Sequence, residues 1–286
     1  MRRMLGFVLA LVLTLSLCAC GNNPTQAGKK YEDVPGLEDG ILTVGMECAY
    51  APYNWTQMDD SNGAVPIANN PGTFANGYDV MIAKKIADHY EVSLEVMAIG
   101  WDGLNPALDE GKLDAVIAGQ SMTEDRMKEV DMAGPYFYAN IVCVARKGSS
   151  QAAATGLSDL SGTCTAQTGT VWYDSFIDQI PGAEKTSAAE TAPAMIMAVS
   201  ESKVDFICTD MPTALGACAK YDNLVILNFA NTGDDFQASE GDINIGISVK
   251  KGNTALKDMM DVVLGDMTAD DFNALMDDAI AVQPEI

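Results

Sequence analysis

The chain of 286 residues has one histidine, 17 basic against 40 acidic side chains, and no apolar run after residue 20 long enough to span a bilayer. The lone His89 falls at the end of a predicted helix, far from any motif, which leaves no imidazole for a nucleophile triad or a metal cage. No nucleophile elbow and no Walker A pattern occur, so neither hydrolase nor nucleotide chemistry is written in the chain. A net charge of −23 has the wrong sign for a phosphate backbone, and nucleic acid is excluded as a partner. The acidity instead keeps the chain dissolved and off anionic surfaces. Seven cysteines are present, without CxxC spacing. Setting aside Cys18 and Cys20 near the N-terminus leaves the odd set Cys48, Cys143, Cys164, Cys208 and Cys218, which argues against a disulfide framework and a zinc site. Cys143, Cys164 and Cys208 lie in apolar strand-like runs and read as small buried hydrophobes; a bridge such as Cys48–Cys218 stays open. No catalytic group, cofactor or metal is expected.

What is present begins with Arg2 and Arg3, an apolar run over residues 5–17, and Leu17-Cys18-Ala19-Cys20-Gly21. This run is shorter than the roughly 18 to 20 residues of a membrane span and reads as a signal peptide over residues 1–19. Leu17 and Ala19 before Cys20 fit a bacterial lipoprotein signal, with the Cys20 thiol taking the lipid; an ordinary secretory signal is the alternative. Residues 20–37 then form a tether, polar and rich in Gly, Asn, Pro and Gln in their first part. The expected location is the extracellular face of the cytoplasmic membrane, lipid-anchored.

From residue 42 short apolar runs alternate with segments of helical period, the pattern of an α/β fold. Strands are predicted at 42–46, 93–98, 115–118, 141–145, 163–167, 204–208 and 244–250, and helices at 79–90, 102–110, 170–179, 254–264 and 269–280. Asp79 would cap its helix and place an anion in its first turn, and the insert 58–75, full of Asn, Gly and Pro, reads as a loop. Lys112-Leu113-Asp114-Ala115-Val116-Ile117 and Lys203-Val204-Asp205-Phe206-Ile207-Cys208 look like equivalent strands, each delivering polar residues to its C-terminal end. Beyond the first stands Arg126, a planar donor fork suited to a carboxylate, although a surface pair with Glu129 would also use it. Gln167-Thr168-Gly169-Thr170-Val171 is a strand-to-helix turn whose free N–H groups favour an anion, or simply an N-cap. Asp210 follows the second strand and precedes Pro212; it is an acceptor at the strand end or a solvated turn residue.

Trp101-Asp102-Gly103-Leu104, the strand Asp114-Ala115-Val116-Ile117-Ala118-Gly119 and Thr123-Glu124-Asp125-Arg126, in this order, resemble the extracellular solute-binding proteins of polar amino-acid ABC transporters. The likeness runs from about residue 42 to about residue 278. It implies the type II periplasmic-binding-protein fold: two Rossmann-like α/β lobes joined by a two-strand hinge. Lobe 1 would comprise residues 38–145 and 246–286 and lobe 2 residues 146–245, with crossings near 145–148 and 242–247.

A free α-amino acid carries a carboxylate and an ammonium on one carbon, so such a site needs two clamps. The resemblance implies Arg126 and Thr170 for the carboxylate, and Asp210, the Gly119 carbonyl and the Ser121 hydroxyl for the ammonium. Tyr50 and Trp101 match the family's aromatic walls, while Tyr53 and Trp55 read as core. Glu47 would meet a cationic or amide side chain, or cap its loop, and Gln167 would face the ligand side chain. Gln120, expected among the ligand-binding residues, and Met122 depart from the usual residues, and with them the side-chain preference is open. The implied partners are a free L-amino acid, an ABC permease and, through lipidated Cys20, the membrane; the chain would act as a monomer. A non-transporting sensor and a small dehydratase on the same fold are the alternatives.

Overall fold

The computed structural model describes residues 30–284, so the signal peptide, Cys20 and most of the tether lie outside the described residues. Two five-stranded sheets carry the chain. The first has the order Ser93–Ala98, Ile41–Met46, Ala115–Ser121, Asn244–Lys250, Val130–Tyr138, and the second the order Gly182–Lys185, Ser161–Thr165, Phe206–Asp210, Ile141–Arg146, Leu224–Leu227. In both, three strands run parallel on one side of an antiparallel strand. The two segments read as equivalent in the sequence, Ala115–Ser121 and Phe206–Asp210, hold the central place of their sheets. Both are buried almost throughout, as central strands covered on two faces require.

The first sheet is flanked by helices Tyr78–Tyr90, Trp101–Asp109, Thr254–Gly265 and Ala269–Val282, and the second by Ala192–Ser200 and Met211–Lys220. The chain leaves the first sheet after Tyr138 and enters the second at Ile141, so the strand 141–146 belongs wholly to the second sheet and the first crossing comes before residues 145–148. An apolar run shows that a strand is buried, not which sheet takes it. The return passes Ile243, whose carbonyl accepts the Ala139 N–H at 2.8 Å, so the two crossings run side by side.

Three local expectations change. The insert 58–75 is not all loop: Val65–Pro66 and Phe74–Asn76 pair, joining Ala49–Tyr50 and Asn54–Gln57 in a small sheet, and Ile67 is buried. Two-residue strands beside Pro and Asn carry too little period to read from sequence. Residues 170–179 form a π-turn, Trp172–Phe176, followed by the 3-10 turn Ile177–Gln179. Trp172, Phe176 and Ile177 are all buried, and the widened turn accommodates this bulk on one side. Asp79 is not the cap of its helix, a place Gly77 takes; its buried carboxylate accepts Tyr136 Oη at 2.7 Å and Asn54 Nδ2 at 2.7 Å. Tyr136 in turn accepts the Gly119 N–H at 3.0 Å, which fixes the end of the central strand.

Candidate functional site

The C-terminal end of the first sheet's central strand meets the turn that follows Ser161–Thr165 of the second sheet at one small cavity, lined by Tyr50, Trp101, Gly119, Ser121, Arg126, Gln167, Thr170, Val171 and Trp172. Seven of these nine were expected from sequence. Its free volume is about 10 Å³, the room one water needs. Outward, past Arg126, a groove of about 750 Å³ opens between Met122–Met127 and Ser239–Asp242, with Glu124, Asp125, Asp174, Glu240 and Asp242 on its walls.

Arg126 owes its place to a cap. Thr123 precedes the short helix Glu124–Glu129, and its hydroxyl accepts the Arg126 N–H at 3.2 Å, so the Thr-x-x-Arg spacing is one capped turn. The guanidinium donates to the Ser121 carbonyl and lies 5.6 Å from the Trp101 ring centre. It forms no ion pair with Glu129 or with any other carboxylate among the described residues. Burial lowers its pKa to about 10, so it keeps its charge at neutral pH.

Asp210 stands at the other strand end, 1% exposed, as N-cap of helix Met211–Lys220. One carboxylate oxygen accepts the Thr213 N–H at 2.9 Å; the other accepts the hydroxyls of Tyr50 at 3.0 Å and Tyr53 at 3.1 Å. Burial pushes the carboxyl above its ordinary value, against the pull of these donors. Every donor is neutral. The two tyrosine rings stack at 4.8 Å, and Tyr50 stands between Asp210 and the cavity. Tyr53, read as core, is fully buried yet also supplies a polar hand to the site.

Thr170 donates its hydroxyl to the Gln167 carbonyl at 2.7 Å, closing the turn, and lines the cavity. Gln167 Nε2 spans the gap between the two sheets to both Glu47 oxygens, at 3.1 and 3.2 Å. Burial raises the Glu47 carboxyl to about 7, against the pull of the Gln167 amide. The Trp101 indole N–H likewise reaches across to the Gly169 carbonyl at 3.2 Å.

Gln120 points elsewhere. Its Oε1 accepts from Ser248 Oγ at 2.7 Å and its Nε2 donates to Asn105 at 3.3 Å, under helix Trp101–Asp109. Strand alternation puts residue 120 on the face opposite 119 and 121, a signal the sequence held. Trp172 and Val171 were missed, because an aromatic just inside a helix start reads as core; Trp172 meets Tyr50 at 6.1 Å and closes the far wall. Gly119 is required here, with φ +63° and room for no Cβ, which would fall 2.7 Å from the Tyr50 ring. Among the described residues no group of three His, Cys, Asp or Glu could hold a metal ion.

Residues 42–279 match the family model of the bacterial extracellular solute-binding proteins, family 3. The chain is 25% identical over 233 residues to the L-cystine-binding protein TcyJ of Escherichia coli K12, covering 82% of this chain and 79% of that one. A probable histidine-binding protein of Neisseria gonorrhoeae is 26% identical over 255 residues, covering 87% and 85%. Among solved structures, an amino acid ABC transporter substrate-binding protein from Streptococcus pneumoniae bound to L-arginine superposes with a TM-score of 0.74 at 24% identity, covering 91% of this chain and 99% of that one. The fold is the type II periplasmic-binding-protein fold. With that architecture and a family match over nearly all the described residues, the chain belongs to the bacterial extracellular solute-binding proteins, family 3.

Proposed function

We propose that this chain is a lipid-anchored receptor that captures a free polar or charged L-amino acid between two lobes and delivers it to an ABC permease, acting as a monomer without chemistry of its own. The observation that carries this is a guanidinium without a carboxylate partner and a buried carboxyl without a cationic partner on the two sides of one site. Arg126 has no carboxylate partner and Asp210 no cationic one among the described residues. Buried charges are ordinarily paired, and a zwitterion would pair both at once.

The ligand carboxylate takes the Arg126 fork and the Thr170 end of the turn; the ammonium takes the Asp210 oxygen that the Tyr50 and Tyr53 hydroxyls now hold, with Ser121 and the Gly119 carbonyl beside it. A cavity of about 10 Å³ admits no amino acid, so binding requires the sheets to part about the paired crossings at Ala139 and Ile243 and to close again on the ligand. The lobes are then residues up to 138 with 244 onwards, and the stretch between. Closure is stabilised by the contacts the ligand makes to both sides. The acidic groove outside Arg126 draws in cations and zwitterions ahead of anions. Anchoring through Cys20 supplies the membrane location from which a permease is reached.

A thermal-shift screen of the twenty L-amino acids tests this reading. At about a thousandfold excess over Kd, binding adds roughly 4 kcal/mol, which at ~2–4 °C per kcal/mol raises Tm by about 8–16 °C. If no amino acid moves Tm, the proposal fails.

A further inference from the structure

Three neighbouring strands of the second sheet each carry a buried free cysteine: Cys164 on Ser161–Thr165, Cys208 on Phe206–Asp210 and Cys143 on Ile141–Arg146. Cys208 and Cys143 are direct partners in the antiparallel register. Extending that register pairs Met211 with Asn140, and the Met211 N–H donates to the Asn140 carbonyl at 2.8 Å, which marks a hydrogen-bonded pair. Alternation by two makes Thr209–Val142 and Ile207–Val144 hydrogen-bonded as well. Cys208–Cys143 is therefore a non-hydrogen-bonded pair, in which Cα atoms approach to about 4.5 Å with side chains on one face. That separation lies inside the span a disulfide bridges. Cys164 stands opposite Phe206 and has no facing thiol.

We propose that Cys143 and Cys208 are a latent dithiol that closes to a cross-strand disulfide by exchange with a small-molecule disulfide. One thiol, deprotonated, attacks a sulfur of the reagent; its S–S bond breaks and one reagent thiolate leaves and takes up the proton. The second protein thiol, deprotonated in turn, attacks the mixed disulfide, forms the Cys143–Cys208 bond and expels the other reagent thiol. The protein is oxidised by two electrons, and the reagent disulfide is reduced to two thiols.

The position gives the bond a consequence. Cys208 and Asp210 are two apart on one strand and so share a face, while Cys143 is the third residue of the strand that begins after the crossing at Ala139 and Asn140. Oxidation thus staples the strand leaving the crossing to the strand that presents Asp210. Both thiols are fully buried, and burial pushes the Cys208 thiol well above its ordinary range, so exchange is slow and gated by opening. The chemistry does not depend on which ligand the cleft takes.

The test is to incubate the folded full chain with oxidised glutathione, quench in acid, alkylate under denaturing conditions and map the digest by mass spectrometry. The expected product joins the Cys143 and Cys208 peptides, two hydrogens lighter than their sum, with Cys48, Cys164 and Cys218 alkylated; dithiothreitol reverses it. In Cys143→Ala no cross-linked pair forms, and Cys208 is recovered alkylated or as its glutathione adduct. Alkylation of Cys143 and Cys208 along with Cys48, Cys164 and Cys218 after incubation at the unfolding midpoint would overturn the proposal, as would a bond that pairs Cys164 in preference.

Discussion

Replacing Glu47 by glutamine is expected to stabilise the ligand-free protein at about pH 8 and to leave it nearly unchanged at about pH 4.5. Burial raises the carboxyl from 4.5 to about 7, so the folded state holds this proton more tightly than the unfolded chain does. Stability from that proton is complete below about 4.5 and is lost as the pH climbs through about 7. At ~1.4 kcal/mol per unit the full shift is worth on the order of 3 kcal/mol. Glu47 retains partial exposure, and screening reduces this to roughly 1–2 kcal/mol. A glutamine keeps an acceptor for Gln167 Nε2 and carries no charge to desolvate. Scanning calorimetry of both forms at the two pH values should show a gain of about 2–8 °C at the higher pH alone, taking ~2–4 °C per kcal/mol. An equal shift at both pH values, or a loss at pH 8, would refute the assignment of this cost to the buried carboxylate.

Other perturbations separate the two clamps from the scaffold. Asp210→Asn retains an N-cap for helix Met211–Lys220 but removes the negative charge, so calorimetry should show a large loss for amino acids and little change for a des-amino analogue; equal losses would count against ammonium recognition. In Gly119→Ala the new methyl meets the Tyr50 ring at φ +63°, and thermal unfolding should reveal a loss of about 1–3 kcal/mol together with weaker binding. Wild-type stability and affinity in that variant would show that the Tyr50 wall is not held from this side.

Much of the fold was legible because its signals are local. The apolar strands at 42–46, 93–98 and 244–250 and the helices at 79–90 and 254–264 lie within a residue or so of the observed elements. Short segments were not: Val65–Pro66, Phe74–Asn76 and the irregular turn at Trp172 get their form from tertiary partners that no window of sequence contains. Around the site, Arg126 and Asp210 could be placed because each sits at a strand end followed by a cap, Thr123 in one case and Asp210 itself in the other. The Glu47–Gln167 bond, the shared Asp210 oxygen and the Tyr50–Trp172 contact join residues from different sheets, and only the folded chain brings them together. Gln120 illustrates a legible fact left unused, since period two alone turns it from the cleft to the core.

The most direct test is a calorimetric titration of the amino acid that gives the largest thermal shift, run on the wild type and on Arg126→Ala. The variant should lose at least about thirtyfold in affinity, the scale for removing one partner of a buried hydrogen-bonded charge pair, while the Tm of the empty protein changes by only a few degrees, since Arg126 forms no ion pair there and loses one hydrogen bond to the Ser121 carbonyl and its contact with the Trp101 ring. Undiminished affinity in Arg126→Ala would contradict the zwitterion clamp.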